Sequence, residues 1–348
     1  MRNSFFPLLK NAPLLTGAFF LFLLSSACKE KSSQTANWIT SEPTSEASTP
    51  ESSHQNTDSP STPPSKSSTP APATLETSEE EIRFLSYNLK NYLTMRRGKE
   101  YLPKPEDETK ALIELIVRQK PDILGLCEIG NKNDLADLQL RLKNAGLDLP
   151  YSEHTGGRDK TRHLGFLSRH PIIATNSQSE LSYEMEGKEW LMSRGILDAT
   201  IETQGIQLRF LGVHLKSKRL IEEADQELIR QNEARLLRTY ADTIFNEKPD
   251  TLLLAYGDFN DTIGSKTLSI AKARRNAKKH LADFYFKDSR NELWTHFWDR
   301  QDTYSRLDYV LFSKALSDHL VGKKSSLVDD PSWNIASDHR ALMLVLKP

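Results

Sequence analysis

The stretch Leu252-Leu253-Leu254-Ala255-Tyr256-Gly257-Asp258-Phe259-Asn260-Asp261 decides the fold. An apolar run, Leu252 to Ala255, ends in a small residue and then delivers two polar side chains, Asp258 and Asn260, one position apart. Bounded by Pro249-Asp250 before and Gly257 after, the run reads as a buried strand. In α/β sheets, groups at the carboxyl end of such a strand face the ligand crevice. If the backbone stays extended, Asp258 and Asn260 point the same way and Phe259 the other. A carboxylate beside an amide can orient and deprotonate a water and hydrogen-bond what that water attacks. Gly-Asp and Asn-Asp are also ordinary turn chemistry, so the reading needs support from the rest of the chain.

That support comes from other runs that end the same way. Ile82 to Asn88 is a β-type run closing on Asn88, and Ile123 to Cys127 is a buried strand that delivers Glu128. Gly195 to Glu202 and Ile206 to Val213 read as antiparallel neighbours joined near Gln204-Gly205, the second delivering His214. Leu164 to Leu167 and Ile172 to Ala174 are expected to pair around His170-Pro171. A strand at Leu307 to Phe312 follows Arg306, and a last strand, Ala341 to Leu346, follows Ser337-Asp338-His339. Helices are predicted over Glu106 to Gln119, Asp134 to Ala145, Leu220 to Phe245 (buried stripe Leu228, Leu236, Leu237, Ala241, Ile244) and Ser265 to Lys279. Strands joined by both helices and hairpins indicate α/β or α+β with a mixed sheet. Several polar-ended strands in one domain imply a core edge lined with hydrogen-bonding and charged groups.

From Glu79 onward the chain carries 41 basic and 41 acidic residues. That balance argues against a large electrostatic footprint for duplex nucleic acid. Cys28 and Cys127 are the two cysteines, too few for a disulfide framework; Cys127 reads as a small buried thiol. There is no Cys/His pattern for zinc and no Gly-rich phosphate loop. The cluster Trp294, His296, Phe297, Trp298 and Tyr304 reads first as packing, with stacking on bases or sugars as the alternative.

Residues 1–27 have the layout of a secretory signal: Arg2 and Lys10, an apolar stretch from Ala12 to Leu24, then Ser25-Ser26-Ala27 before Cys28. The apolar stretch is too short for a comfortable transmembrane helix. Its end resembles the lipobox of bacterial lipoprotein precursors, with Ser25 where a large apolar residue is usual. The resemblance implies cleavage before Cys28, lipidation of Cys28 and attachment to the bacterial cell envelope, facing the outer membrane or periplasm; plain secretion is the alternative. Residues 28–78 are rich in Ser, Thr and Pro and read as a disordered linker. The folded domain is expected over residues 79–348, as a monomer.

The set Ser86-Tyr87-Asn88, Glu128, Gly212-Val213-His214, Gly257-Asp258-Phe259-Asn260, Arg306-Leu307-Asp308-Tyr309 and Ser337-Asp338-His339 resembles the endonuclease/exonuclease/phosphatase superfamily, the DNase I-like group. The resemblance implies a four-layer sandwich: two mixed β-sheets packed face to face, with helices on both outer sides and the site at one end. It also implies metal-assisted phosphoester hydrolysis. On that reading Glu128, Asn88 and Asp338 are the metal residues, for Mg²⁺ with Mn²⁺ or Ca²⁺ as substitutes. Asp258 activates water, held by Asn260; His339 contacts the phosphate with its tautomer set by Asp308; His214 contacts the phosphate or the leaving oxygen. Arg194 and Lys216 are candidate phosphate contacts. Lys90 stands where the exonuclease III branch has an acidic residue. The expected substrate is a phosphodiester, nuclease-like first, which leaves nucleic acid or phospholipid as the partner. A lipid head-group phosphodiesterase acting on phospholipid, or a phosphomonoesterase, would use the same residues. A non-catalytic binding protein on this scaffold would be expected to lack one of Glu128, Asp258 or His339, and all three are present.

Overall fold

The computed structural model describes residues 81–348. The signal-like segment, Cys28 and the linker lie outside the described residues. Residues 73–348 fall in one compact unit, and its apolar clusters draw on Ile82 onward, so the described residues carry their own core, as a domain able to fold alone requires. Among the described residues, no helix is long and apolar enough to cross a membrane.

Two six-stranded mixed sheets form the centre. The first runs, in spatial order, Ser326–Leu327, Leu342–Leu346, Ile82–Tyr92, Ile123–Ile129, His163–Ser168, Tyr151–Thr155. The second runs Ala282–Asp283, Asp308–Phe312, Leu252–Asp258, Ile206–His214, Leu197–Thr203, Ile172–Thr175. Each contains one parallel central pair: Ile82–Tyr92 with Ile123–Ile129, and Ile206–His214 with Leu252–Asp258. Parallel neighbours need crossovers, and the helices Glu106–Gln119 and Gln226–Glu247 supply them.

Alternation along the strands explains the layering. Phe84, Phe166, Phe210, Leu254, Tyr256 and Val310 face the space between the sheets. The next residues along, Leu85, Leu124, Leu211, Leu253 and Ala255, face outward onto helices. Helices Glu106–Gln119 and Lys132–Asn144 cover the first sheet through Leu112, Ile116, Leu135 and Leu138. Helices Gln226–Glu247 and Lys266–Lys272 cover the second through Leu237, Ala241, Ile244 and Leu268. The result is the four-layer sandwich expected from the motifs. Tyr256 wedges between the sheets, its ring 4.9 Å from that of Phe84. Gly125 makes room for it: a Cβ there would lie 2.2 Å from the Tyr256 ring.

Several sequence expectations are corrected. Leu164 to Leu167 and Ile172 to Ala174 do not pair. The first lies within His163–Ser168 of the first sheet and the second within Ile172–Thr175 of the other. The corner between them is tied by the Ser168 hydroxyl to the His170 backbone, so the chain switches sheets instead of reversing. The long helix begins at Gln226, where Asp225 caps it, and Leu228 is exposed while Ile229 and Phe245 are buried. The helix after Ser265 stops at Lys272, because Ala273 takes a positive φ of 59°. Finally, the central strand ends at Asp258, and Asn260 has φ 51°. The extended alternation that would aim Asp258 and Asn260 together is therefore broken.

Candidate active site

Register alone brings three of the predicted residues side by side. His214 pairs with Asp258, and Asp258 pairs with Asp308, on three adjacent strands of the second sheet. Gly257, one residue earlier, has φ 125°, and a Cβ there would lie 2.0 Å from the Val213 carbonyl oxygen. Only glycine fits that twist. From the first sheet, Asn88 reaches across: its Nδ2 donates to Asp258 Oδ2 at 3.1 Å and lies 3.5 Å from His339 Nε2. His339 enters from the turn before Leu342–Leu346, with Nδ1 2.7 Å from Asp308 Oδ2. Its Nε2 is 3.8 Å from Asp258 Oδ2. Glu128 closes the rim. It sits in a left-handed conformation, φ 61°, with Oε2 accepting from the Asn91 N–H at 2.9 Å and Oε1 3.9 Å from His214 Nε2. Positive φ at a non-glycine residue is strained, and here it falls on the most exposed carboxylate of the cluster.

Asn260 holds Asp258 through its backbone: its N–H donates to Asp258 Oδ1 at 2.8 Å, while its side-chain amide donates to the Leu215 carbonyl. Asp338 is drawn in by Ser337, whose hydroxyl donates to the Asn88 carbonyl at 2.8 Å and lies 3.5 Å from Asp338 Oδ1. Arg194 is buried and ion-paired to Asp159 at 2.9 Å, with Nε and Nη1 lacking a hydrogen-bond partner. Lys216 is not joined to the cluster; its Nζ is held by the carbonyls of Ser217 and Arg219. Lys218 pairs with Asp261 at 3.1 Å.

Three supporting residues were not among the predicted site residues. Thr295 Oγ1 accepts from the N–H groups of Leu307 and Asp308 and so fixes the Asp308 strand entry. Asn91 holds Glu128. His296 bridges to His339 in the backbone, the two rings 4.6 Å apart. In the sequence Thr295 is marked only as a lone polar residue among aromatics and His296 as a member of that cluster, while Asn91 carried no signal. Arg162 Nε lies 3.8 Å from Glu128 Oε2.

Burial and neighbouring charge divide the titratable groups. The Asp258 carboxyl is pushed up to about 7, first by burial, then by Asp308, with His339 opposing. For His339, burial alone would lower its value, but the charge and hydrogen bond of Asp308 win, and it is pushed up to about 10. His214 is driven well below the usual imidazole range by burial, then by the charges of Arg194 and His339. At neutral pH the pocket thus holds a cationic His339 beside a neutral His214.

The atoms of Asp258, Asp308 and His339 that could hold an ion lie within 4.8 Å of one another. His339 is a poor ligand there, since its Nδ1 is taken by Asp308 and its ring is protonated. Glu128, Asn88 and Asp338 each offer an oxygen donor, the chemistry a hard divalent cation prefers.

A family model described as the Endonuclease/Exonuclease/phosphatase family matches residues 85–339. The chain belongs to this family of phosphoester-hydrolysing enzymes. Solved structures that share the fold include an endonuclease/exonuclease/phosphatase family protein from Leptotrichia buccalis C-1013-b. It is 18% identical, covers 77% of this chain and 100% of its own, and has a TM-score of 0.54. An endonuclease/exonuclease/phosphatase from Bacteroides vulgatus gives 13%, 77%, 99% and 0.55 for the same quantities. The human Nocturnin catalytic domain with bound sulfate anion gives 19%, 77%, 94% and 0.54. At these identities the likeness is one of fold. No curated protein matches the sequence.

Proposed function

We propose that this chain is an exported, lipid-anchored phosphodiesterase of nuclease type that works with Mg²⁺. The observation that carries the catalytic part is the convergence of Asn88, Asp258, Asp308 and His339, from both sheets, into one buried hydrogen-bonded group. Glu128, Asn88 and Asp338 would hold the cation, which supplies positive charge against the phosphoryl oxygens. His339, fixed in orientation by Asp308, donates from Nε2 to a nonbridging oxygen. Asp258 takes the proton of the attacking water as the new P–O bond forms and the bond to the leaving oxygen breaks. Neutral His214 positions the phosphate by hydrogen bonding, and Arg194 offers its two unpartnered nitrogens to the same anion.

The lip of the pocket favours nucleic acid over a lipid head group. In the hairpin His296–Trp298/Thr303–Ser305, alternation puts Trp298 on the face of His296, the residue beside His339. Trp298 is 46% exposed, an open platform for a base. Glu128→Gln, Asp258→Asn and His339→Ala are each expected to abolish cleavage of an activated diester while circular dichroism stays unchanged. A panel of single-stranded DNA, RNA, plasmid, sphingomyelin and phosphoinositides, each with Mg²⁺, Mn²⁺, Ca²⁺ or EDTA, then assigns the substrate. Cleavage of sphingomyelin with the oligonucleotides untouched would replace the nuclease reading by the lipid one.

A further inference from the structure

Between Thr262 and Ala282 the chain has six Lys or Arg and no Asp or Glu, a local excess inside a domain whose total charge balances only when these six are counted. Five of the six fall in Lys272-Ala273-Arg274-Arg275-Asn276-Ala277-Lys278-Lys279. Arg274, Arg275 and Lys278 are exposed, and Lys272 and Lys279 are half-buried. Among the described residues, the side chains of Arg274, Arg275 and Lys278 make no ion pair or hydrogen bond, while Lys279 caps Asn246 and the Asp242 carbonyl. The loop is not loose. Ala277 bonds back to Arg274, His280 to Ala277, and Leu281 to Lys272. Like charges so confined repel one another, and no residue of the catalytic pocket uses them.

The loop lies at the end of the domain away from the catalytic rim. The helix Gln226–Glu247 meets Lys279 at Asp242 and Asn246, while Arg230, near its start, bonds to Asp261 and the Lys216 carbonyl beside the rim. From Arg230 to Asn246 that helix rises about 24 Å. After the loop, Ala282 pairs with Phe312, which pairs with Leu254, ahead of Asp258 on the central strand. The first strand also starts at this end: Ile82 shares a cluster with Phe312 and Leu316 and lies about 20 Å along its strand from Asn88. The basic loop and the point where the chain enters the domain therefore share the end opposite the site.

We propose that Lys272, Arg274, Arg275, Lys278 and Lys279 form a docking surface for an anionic phospholipid bilayer. A polyanionic substrate is the poorer occupant, because charge at this end draws it away from the pocket. The lipid anchor proposed above, on which this inference rests, would keep the domain close to a bilayer, and head groups of acidic lipids complement the loop's charge. Docking there turns the catalytic rim outward. The inference is independent of the catalytic assignment: its readout is vesicle binding, and turnover serves only as a control for folding.

The experiment uses residues 73–348, which carry no lipid, with vesicles of phosphatidylcholine alone or with one-third phosphatidylglycerol. Sedimentation should show binding to the acidic vesicles only, at least about tenfold weaker when salt is raised to roughly 0.5 M. The Arg274→Glu/Arg275→Glu/Lys278→Glu variant should lose that binding about tenfold or more and keep the wild-type rate on a soluble activated diester, which also reports folding. The milder Arg274→Gln/Arg275→Gln variant should fall between. Equal binding of wild type and variant to acidic vesicles, or no binding by wild type, overturns the proposal. Loop-dependent binding to an oligonucleotide without binding to acidic vesicles overturns it as well.

Discussion

Asp258 shows most plainly how one position serves function at the expense of stability. Its carboxyl is raised above the ordinary value because burial and Asp308 oppose its ionisation. A group whose folded value lies above its unfolded value, about 3.9 for Asp, weakens the fold as pH rises between the two. Asp258→Asn removes that burden. In EDTA its melting temperature should exceed the wild-type value more at pH 8 than at pH 4, by thermal denaturation at each pH. The same residues set the rate profile. In the proposed mechanism Asp258 acts ionised and His339 protonated, so kcat/KM should fall as pH drops through about 7 and again as it rises through about 10. Asp308→Asn removes the main influence raising His339 and should move the alkaline limb to lower pH. An unmoved limb would show that another group sets it.

At the scale of elements, the site depends on how strands end. Three neighbouring strands of one sheet place His214, Asp258 and Asp308 in a row, and the first sheet adds Asn88 and Glu128 from its own strand ends. Gly257→Ala should be severely destabilising, since its Cβ meets the Val213 carbonyl and its φ is positive; urea melts would show a large loss of midpoint. Tyr256→Phe should do the opposite or nothing. The Tyr256 hydroxyl is buried without a partner, so removing it costs no hydrogen bond and is expected to change stability by between 0 and about +1 kcal/mol. On the hairpin, Trp298→Ala should raise KM for a single-stranded oligonucleotide several-fold and leave a small activated diester unaffected. An equal loss on both substrates would place the fault in the pocket instead of the lip.

At the scale of the whole molecule, two sheets with helices outside leave one open edge where both sets of strand ends meet. The apolar alternation that built those layers was legible residue by residue: Phe84 against Leu85, Leu254 against Ala255. So were the polar strand ends, because a lone Asn88 or Glu128 after a buried run has no packing reason to be there. Chain-level features were less legible. Leu164 to Leu167 and Ile172 to Ala174 look like a hairpin by composition, and period-2 patterning is the same whether neighbours share a sheet or face each other across a core. The basic loop was hidden in a balanced total, since net charge says nothing about distribution.

The sequence by itself determined the mixed strand-and-helix composition and the chemistry each strand end carries, because those follow from local periodicity and residue type; the layer order came from the resemblance its motifs carry. Only the tertiary structure decided that Asn260 holds Asp258 by its backbone, that His339 is cationic beside a neutral His214, and that Thr295, Asn91 and His296 complete the site. These depend on distances, dihedrals and burial between residues far apart in the chain. A linear pattern carries no information about the dielectric or the neighbours that a folded side chain meets.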